Sequence, residues 1–190
     1  TEFSPLPGLT FRESLYNGVA SDRINRQFRF CPRSDGMFNI GSLSYHIGEE
    51  ERHHGYYAVG YALGSSPSET SADKTFNYAL WTLIEQPLLH VGESHLGAMW
   101  QGGTSPASRS TCRHYWGAGL IWSNIPPRMT QVGLVVNRAL YADGRETDVE
   151  LTGSFPVCNH FTLQPAVHCI NTNGNYTAAA QLRAILEFGN

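Results

Sequence analysis

Polar side chains recur at every second position in several segments of this chain, and their types limit the chemistry that they can perform. Asp148 and Glu150 alternate with Val149 and Leu151. Successive side chains of a β-strand point to opposite faces, so such a run places its polar groups on one face. Carboxylates, amides, imidazoles and guanidinium groups exchange hydrogen bonds with hydroxyl groups, and tryptophan offers a flat face to an apolar ring surface. The residues that we predict to line a path for a neutral, hydroxyl-rich ligand are Arg12, Trp81, Glu85, Asp148, Glu150, Gln164, His168 and Arg183. The simpler alternative is that most of them are solvated residues of a polar surface with no selective role.

Two of these residues, Asp148 and Glu150, also suggest acid–base chemistry. A pair of carboxylates flanking a glycosidic bond is the arrangement that hydrolyses it. Carboxylates two positions apart on one strand are more simply explained as an acidic patch on one face of a sheet. The chain contains no GxSxG motif and no P-loop. We therefore predict that the protein is not an enzyme and needs no cofactor.

Histidines raise the question of a metal site, because imidazole is the commonest zinc ligand. His53 and His54 are adjacent and would point to opposite faces of a strand, and the chain has no HExxH motif. His46, His90 and His95 have no cysteine or carboxylate at ligand spacing. The sequence therefore predicts exposed histidines and no metal site.

The elements that would position these residues are long strands with alternating side chains. The clearest is 160–170, where apolar and polar residues alternate over about ten positions. Turn signals such as Asn17-Gly18, Asp143-Gly144 and Asn173-Gly174 separate such runs. No segment has a convincing helical period. The predicted strands are 9–17, 37–47, 55–64, 75–86, 93–101, 113–123, 130–141, 146–155, 160–170 and 177–188, with a further candidate at 27–30.

The length of these strands favours a membrane. Strands of soluble proteins average five or six residues, whereas a tilted strand that crosses a bilayer needs roughly 9–11. Several alternating segments of that length in series are typical of a transmembrane β-barrel. We predict that Leu134, Leu151, Leu163 and Leu182 point at lipid. The predicted loops 64–74 and 102–112 are long and 87–92 and 124–129 are short, which fits the loop asymmetry of such barrels.

Composition agrees with this class and excludes others. The chain has 190 residues with no dividing linker, which predicts one domain over 1–190. A net charge of −3 with scattered basic residues argues against a nucleic-acid partner. Charged residues make up 15% and aromatic residues 12%, which is natural for long strands with Tyr and Trp near membrane interfaces. Cys158 and Cys169 bracket one predicted strand and are too far apart to form a disulfide, whereas other pairings and free thiols remain open.

A family resemblance rests on short motifs in a fixed order. Matching is best over roughly 75–188 and looser from Leu9 onward. The chain resembles the carbohydrate-selective porins of the OprB family. The motifs are Tyr-Trp-Gly-Ala-Gly-Leu-Ile-Trp at 115–122, Ile-Pro-Pro-Arg at 125–128, Gln-Val-Gly-Leu at 131–134, Glu-Thr-Asp-Val-Glu-Leu-Thr at 146–152, Leu-Gln-Pro at 163–165 and Asn-Thr-Asn-Gly at 171–174.

The resemblance implies an antiparallel β-barrel in the outer membrane of a Gram-negative bacterium. It further implies that sugars such as glucose diffuse passively through a water-filled lumen. Family members are about twice as long and close barrels of about sixteen strands. This chain, with about ten predicted strands, would correspond to their C-terminal half. Its implied partners are sugars, outer-membrane lipid, and either the missing half of the barrel or further copies of the chain. The chain also departs from the family at its end, where Phe188 is followed by Gly189-Asn190 instead of being terminal.

A different class is the main alternative. Four cysteines and several tryptophans are also compatible with a secreted carbohydrate-binding β-sandwich. A small β-rich hydrolase that uses Asp148 or Glu150 ranks last. Strand length and packing distinguish the first two, because a sandwich buries its apolar faces between two sheets whereas a barrel exposes them to lipid.

Overall fold

The computed structural model describes residues 1–18, 32–47, 55–67, 74–106, 108, 110–126 and 129–187. The sequence-based statements about Cys31, His53, His54, Phe188 and a strand at 27–30 lie outside these residues. Within the described ranges the only helix is α1 (Pro32–Asp35), and all other regular elements are strands. No helix among them is both long enough and apolar enough to cross a membrane.

Eleven strands form one sheet in which each strand pairs with its neighbours in the sequence. Every pairing is antiparallel. The all-β prediction is therefore confirmed. The strands are β1 (Glu2–Leu6), β2 (Leu9–Asn17), β3 (Met37–Ile47), β4 (Gly55–Pro67), β5 (Lys74–Val91), β6 (Ser94–Thr104), β7 (Cys112–Ile125), β8 (Met129–Tyr141), β9 (Arg145–Cys158), β10 (Phe161–Thr172) and β11 (Asn175–Leu186).

The predicted strands match the structure closely, with two differences. The sequence did not predict β1, because Pro5 lacks a backbone N–H and so argues against a strand. β1 nevertheless forms at the edge of the sheet, where a proline is tolerated. β5 continues through the predicted loop 87–92 as far as Val91. The pairing of β5 with β6 shifts between Pro87 and Leu89, so a bulge accommodates the proline inside the strand.

The predicted turn between β10 and β11 is a tight two-residue hairpin. Thr172 pairs with Asn175, and the two residues between them have positive φ, 54° at Asn173 and 95° at Gly174. Two successive left-handed residues match the twist of paired strands, and Asn-Gly is the preferred sequence for them. The local sequence thus fixes the register of the last two strands.

The two faces of the sheet differ sharply in polarity. Cross-strand pairing places Leu134 opposite Leu151, Leu151 opposite Val167, and Val167 opposite Ala180. We call this side the apolar face. Extending the same registers across the sheet, its mid-strand residues include Leu43, Val59, Leu80, Leu120, Leu134, Leu151, Val167 and Leu182. Leu163, opposite Phe155, lies on the same face, so the four leucines predicted to share a face do so.

Aromatic residues of the apolar face concentrate towards the two ends of the strands. Trp100 and Trp116 stack with ring centroids 5.9 Å apart and planes 10° from parallel. One end of the sheet carries Tyr45, Tyr57, Trp122, Phe155 and Phe161, and the other carries Phe76, Tyr78, Trp116 and Tyr176. Between these two bands the face is mainly aliphatic.

In the described part of the chain, nothing packs on the apolar face. Leu151 is 54% exposed and Leu134 is 48% exposed, and no large side chain in the described residues is fully buried. Among the same residues, the buried hydrophobic side chains are those of Ala58 and Ala166, both on the opposite face. The chain's accessible surface is 13612 Å², whereas a compact protein of this mass exposes about 9,000 Å². The described part of the chain therefore has no core of its own.

One carboxylate interrupts the apolar face. Glu13 lies opposite Gly41, which pairs in turn with Tyr61. The Tyr61 hydroxyl lies 2.9 and 3.0 Å from the two Glu13 carboxylate oxygens, and the Asn39 amide donates to the same group. Gly41 leaves the space in which these side chains meet, since an added Cβ would lie 2.5 Å from Glu13 and 2.7 Å from Tyr61. The carboxylate is thus satisfied by neighbouring donors.

The sheet is open between its first and last strands. β1 and β11 are its two edges and do not pair with each other. Because each of the ten neighbouring pairs is antiparallel, β1 and β11 run in the same direction. A barrel in which all neighbours are antiparallel cannot be closed by joining two parallel edges directly.

Candidate functional site

The side opposite the apolar face carries all eight residues predicted to line a ligand path, and we call it the polar face. Across the strands, Arg12 pairs with Ser42, Ser42 with Gly60, and Gly60 with Trp81. Glu150 pairs with His168, and Gln164 pairs with Arg183. These registers, with the alternation along each strand, place Arg12, Trp81, Glu85, Asp148, Glu150, Gln164, His168 and Arg183 on one face.

The eight residues do not form a single cluster. Arg12 and Trp81 lie three strands apart, which is roughly 14 Å at the usual strand spacing. The Arg12 guanidinium instead forms an ion pair with Glu2 at 3.0 Å, and both side chains are 59% exposed. Arg183 donates a long hydrogen bond of 3.4 Å to Gln164 at the β10–β11 edge. The face therefore offers separate groups along a surface.

Asp148, Glu150 and His168 are the group that the fold does bring together. Asp148 and Glu150 are two residues apart on β9, and His168 of β10 pairs with Glu150. His168 Nδ1 lies 3.1 Å from Asp148 Oδ2, and the two side chains are only 19% and 22% exposed. One potential ligand atom from each of the three residues lies within 4.8 Å of the others.

A second polar group adjoins this cluster, and it was absent from the residues predicted from sequence. The Gln101 amide donates to the Tyr115 hydroxyl at 2.6 Å, and that hydroxyl donates to Asn137 Oδ1 at 2.8 Å. Gly117 provides the space, since an added Cβ would lie 2.5 Å from Asn137 Oδ1. Alternation along 113–123 and 130–141 indicates the face of Tyr115 and Asn137, but only the register makes them neighbours.

Asn137 connects the two groups. It pairs with Asp148 across β8 and β9. A cleft of about 310 Å³ opens above this junction, and its lining includes Tyr115, Asn137, Glu146 and Asp148. The polar face thus carries a continuous strip of hydrogen-bonding groups from β6 to β10.

Trp81 packs over the neighbouring strand beside this strip. Gly60 of β4 faces it, and an added Cβ at Gly60 would overlap the indole ring. A neighbouring cleft of about 210 Å³ is lined by Trp81, Gly103, Arg113 and Tyr115 among others. Glu85 is four residues further along the strand, roughly 13 Å away. Trp81 therefore offers an aromatic surface next to Tyr115, while Glu85 lies too far away to share a ligand ring with it.

Of the histidines considered for metal binding, His46, His90 and His95 lie in the described part of the chain, and none of them belongs to a group of three potential metal ligands there. His46 packs on Tyr56 with ring centroids 4.7 Å apart, and His90 lies beside His95 with centroids 6.0 Å apart. Cys112, Cys158 and Cys169 are free thiols. The one group in the described residues that could hold a metal ion is Asp148, Glu150 and His168.

Comparison with known proteins identified no relative of this chain. No protein-family model matches the chain, and no curated protein or solved structure matches it either.

Proposed function

We propose that this protein is a pore-forming β-barrel component of a Gram-negative outer membrane, which lets sugars diffuse passively through a water-filled lumen. The observation that carries the proposal is the exposed, unpartnered apolar face of a long antiparallel sheet. In water such a face is a strong aggregation liability. Against lipid it is the expected outer surface, with the polar face turned to the lumen.

The dimensions of the strands support a membrane location. From β3 to β11 the strands contain between 11 and 18 residues. A strand tilted in a bilayer needs roughly 9–11 residues to cross it. Aromatic residues near both strand ends fit the interfacial girdles of such barrels.

The direction of the edge strands indicates how the barrel would close. Bacterial single-chain barrels contain an even number of antiparallel strands. Because β1 and β11 run in the same direction, an odd number of further strands must stand between them. We infer that these eleven strands are part of a larger barrel, completed by further strands of the same protein or by a partner.

The polar face supports passage of neutral, hydroxyl-rich molecules. Trp81 provides a stacking surface next to Tyr115. Gln101, Asn137 and Asp148 provide further donors and acceptors along the same face. Weak, repeated hydrogen bonds favour entry of a sugar without trapping it. Passive diffusion requires no chemical step, so we assign none.

The alternative secreted β-sandwich is less well supported. A sandwich buries the inner faces of two sheets against each other. The described strands form one sheet, and among them no second layer covers its apolar face. The sandwich would need a second layer to cover that face.

The test is a planar-bilayer recording on the full chain, with glucose titrated against ion current. Replacing Trp81 and Glu85 together by Ala is expected to weaken sugar block while leaving the open conductance similar or larger. Trp100→Ala is the matched control, because Trp100 lies on the apolar face and its loss should leave sugar block unchanged. Equal sugar affinity in the double variant and the parent would remove Trp81 and Glu85 from the pathway, and the absence of any channel activity would count against the pore itself.

A further inference from the structure

We propose that Asp148, Glu150 and His168 form a binding site for a divalent transition-metal ion, with zinc the best match. The proposal concerns a site on the polar face and does not require the protein to conduct sugars. Its starting point is the convergence of two carboxylates and one imidazole, with one ligand atom of each within 4.8 Å of the others.

The backbone fixes this convergence. Asp148 and Glu150 project from the same face of β9, two residues apart. His168 is paired with Glu150 and its ring reaches Asp148 at 3.1 Å. Zinc bound at about 2.0–2.2 Å in tetrahedral geometry holds its ligand atoms about 3.3 Å apart. The separations seen here allow that arrangement after small side-chain rotations, with the ladder of β9 and β10 unchanged.

A buried oxygen supplies the second, independent observation. Asp148 Oδ1 has essentially no solvent-accessible surface and no hydrogen-bond partner. Leaving a buried acceptor unsatisfied destabilises the folded state, and more so when the acceptor is charged. No lysine or arginine forms an ion pair with Asp148 or Glu150 in the described part of the chain. A cation held between these three side chains would neutralise the Asp148 carboxylate.

The donor set selects the class of metal. Imidazole suits zinc and other late transition metals, whereas magnesium and calcium prefer all-oxygen sites. Three protein ligands are the number found in open zinc sites, which leave a fourth position for water. That position would face the cleft that Tyr115 and Asn137 line. The ion would therefore be accessible from the polar face and exchangeable.

The test measures zinc binding directly, on the full chain in detergent after treatment with a chelator. Zinc is titrated in and followed by calorimetry and by the thermal unfolding midpoint. We expect one zinc per chain, and an affinity reduced about tenfold or more by Asp148→Asn and by His168→Gln. Circular dichroism of each variant verifies that the strands have formed.

Glu146→Gln is the matched control. Glu146 lies on the same strand and face, two residues before Asp148, and outside the three-residue cluster. It accepts a hydrogen bond from Thr172 at 3.1 Å. Unchanged zinc affinity in this variant supports a defined site. Overturning results would be no stoichiometric binding, or losses as large for Glu146→Gln as for Asp148→Asn, which would indicate diffuse attraction to an acidic strand. Because binding is measured without ion flow, a failure of this proposal is distinguishable from a failure of the pore.

Discussion

Leu182 is the best position at which to test whether lipid or water contacts the apolar face. It lies on β11 opposite Pro165 and is 67% exposed. Its neighbour Gln181 lies on the same strand, opposite Ala166, and points to the polar face. The two residues are adjacent along the strand, and their side chains point to opposite faces of the sheet. Leu182→Arg and Gln181→Arg therefore introduce the same charged side chain at nearly the same height, on opposite faces.

The magnitude follows from the position of Leu182 along its strand. β11 has 12 residues, and Leu182 is between one and two residues from its centre. At about 3.4 Å per residue and a tilt of about 40°, Leu182 would lie roughly 4 Å from the bilayer midplane if the proposed barrel is centred in the bilayer. Arginine on the lipid face near that depth costs about 2–4 kcal/mol. A tenfold change in an equilibrium constant corresponds to about 1.4 kcal/mol, so the ratio of folded to unfolded protein should fall by roughly 30- to 700-fold. In water, an exposed substitution would stay within about 0.5 kcal/mol.

The assay is urea unfolding of the full chain refolded into phospholipid vesicles, with heat-dependent mobility in gels as an independent reading of barrel formation. Leu182→Arg should lower the free energy of unfolding by about 2–4 kcal/mol. Gln181→Arg should change it by less than about 1 kcal/mol, because its side chain would face water in the proposed lumen. Equal effects at the two positions would refute the reasoning. So would a Leu182→Arg protein that is stable and soluble without lipid or detergent.

Two glycine substitutions test the polar face. Gly117→Ala places a methyl group 2.5 Å from Asn137 Oδ1, so we expect a loss of about 1 kcal/mol in urea unfolding, together with weaker sugar block. An unchanged sugar affinity would show that this network is outside the pathway. Gly60→Ala overlaps the Trp81 ring and should displace it, which weakens sugar block in bilayer recordings without changing the register of the strands. If sugar block survives while the indole fluorescence shifts, Trp81 is not the stacking surface.

The sequence by itself determined the class of structure, because strand alternation and turn chemistry are local. The runs 9–17 and 37–47 coincide with β2 and β3 at both ends. Asn173-Gly174 sets a hairpin through its own backbone preferences, so the register of β10 against β11 follows from adjacent residues. Alternation likewise placed Leu134, Leu151, Leu163 and Leu182 on a common face, since each strand has a period of two.

Prolines gave wrong predictions of strand ends where pairing with a neighbouring strand outweighs the local preference. Pro87 removes a backbone donor and predicts the end of a strand, yet pairing with β6 carries β5 past it through a bulge. Pro5 likewise argues against a strand at β1, yet β1 forms by pairing with β2 at the edge of the sheet. In both cases hydrogen bonds to another strand decided the outcome, and a neighbour's register cannot be read from one segment.

Only the tertiary structure decided which polar residues meet. Alternation gave the face of Asp148, Glu150 and His168, but their contact depends on the pairing of Glu150 with His168 across β9 and β10. Gln101 and Asn137 are 36 positions apart in the sequence and are joined through Tyr115 because β6, β7 and β8 align. Alternation is a property of single strands, whereas register is a property of pairs, so the sequence pattern specifies the faces of the sheet and the fold specifies the site.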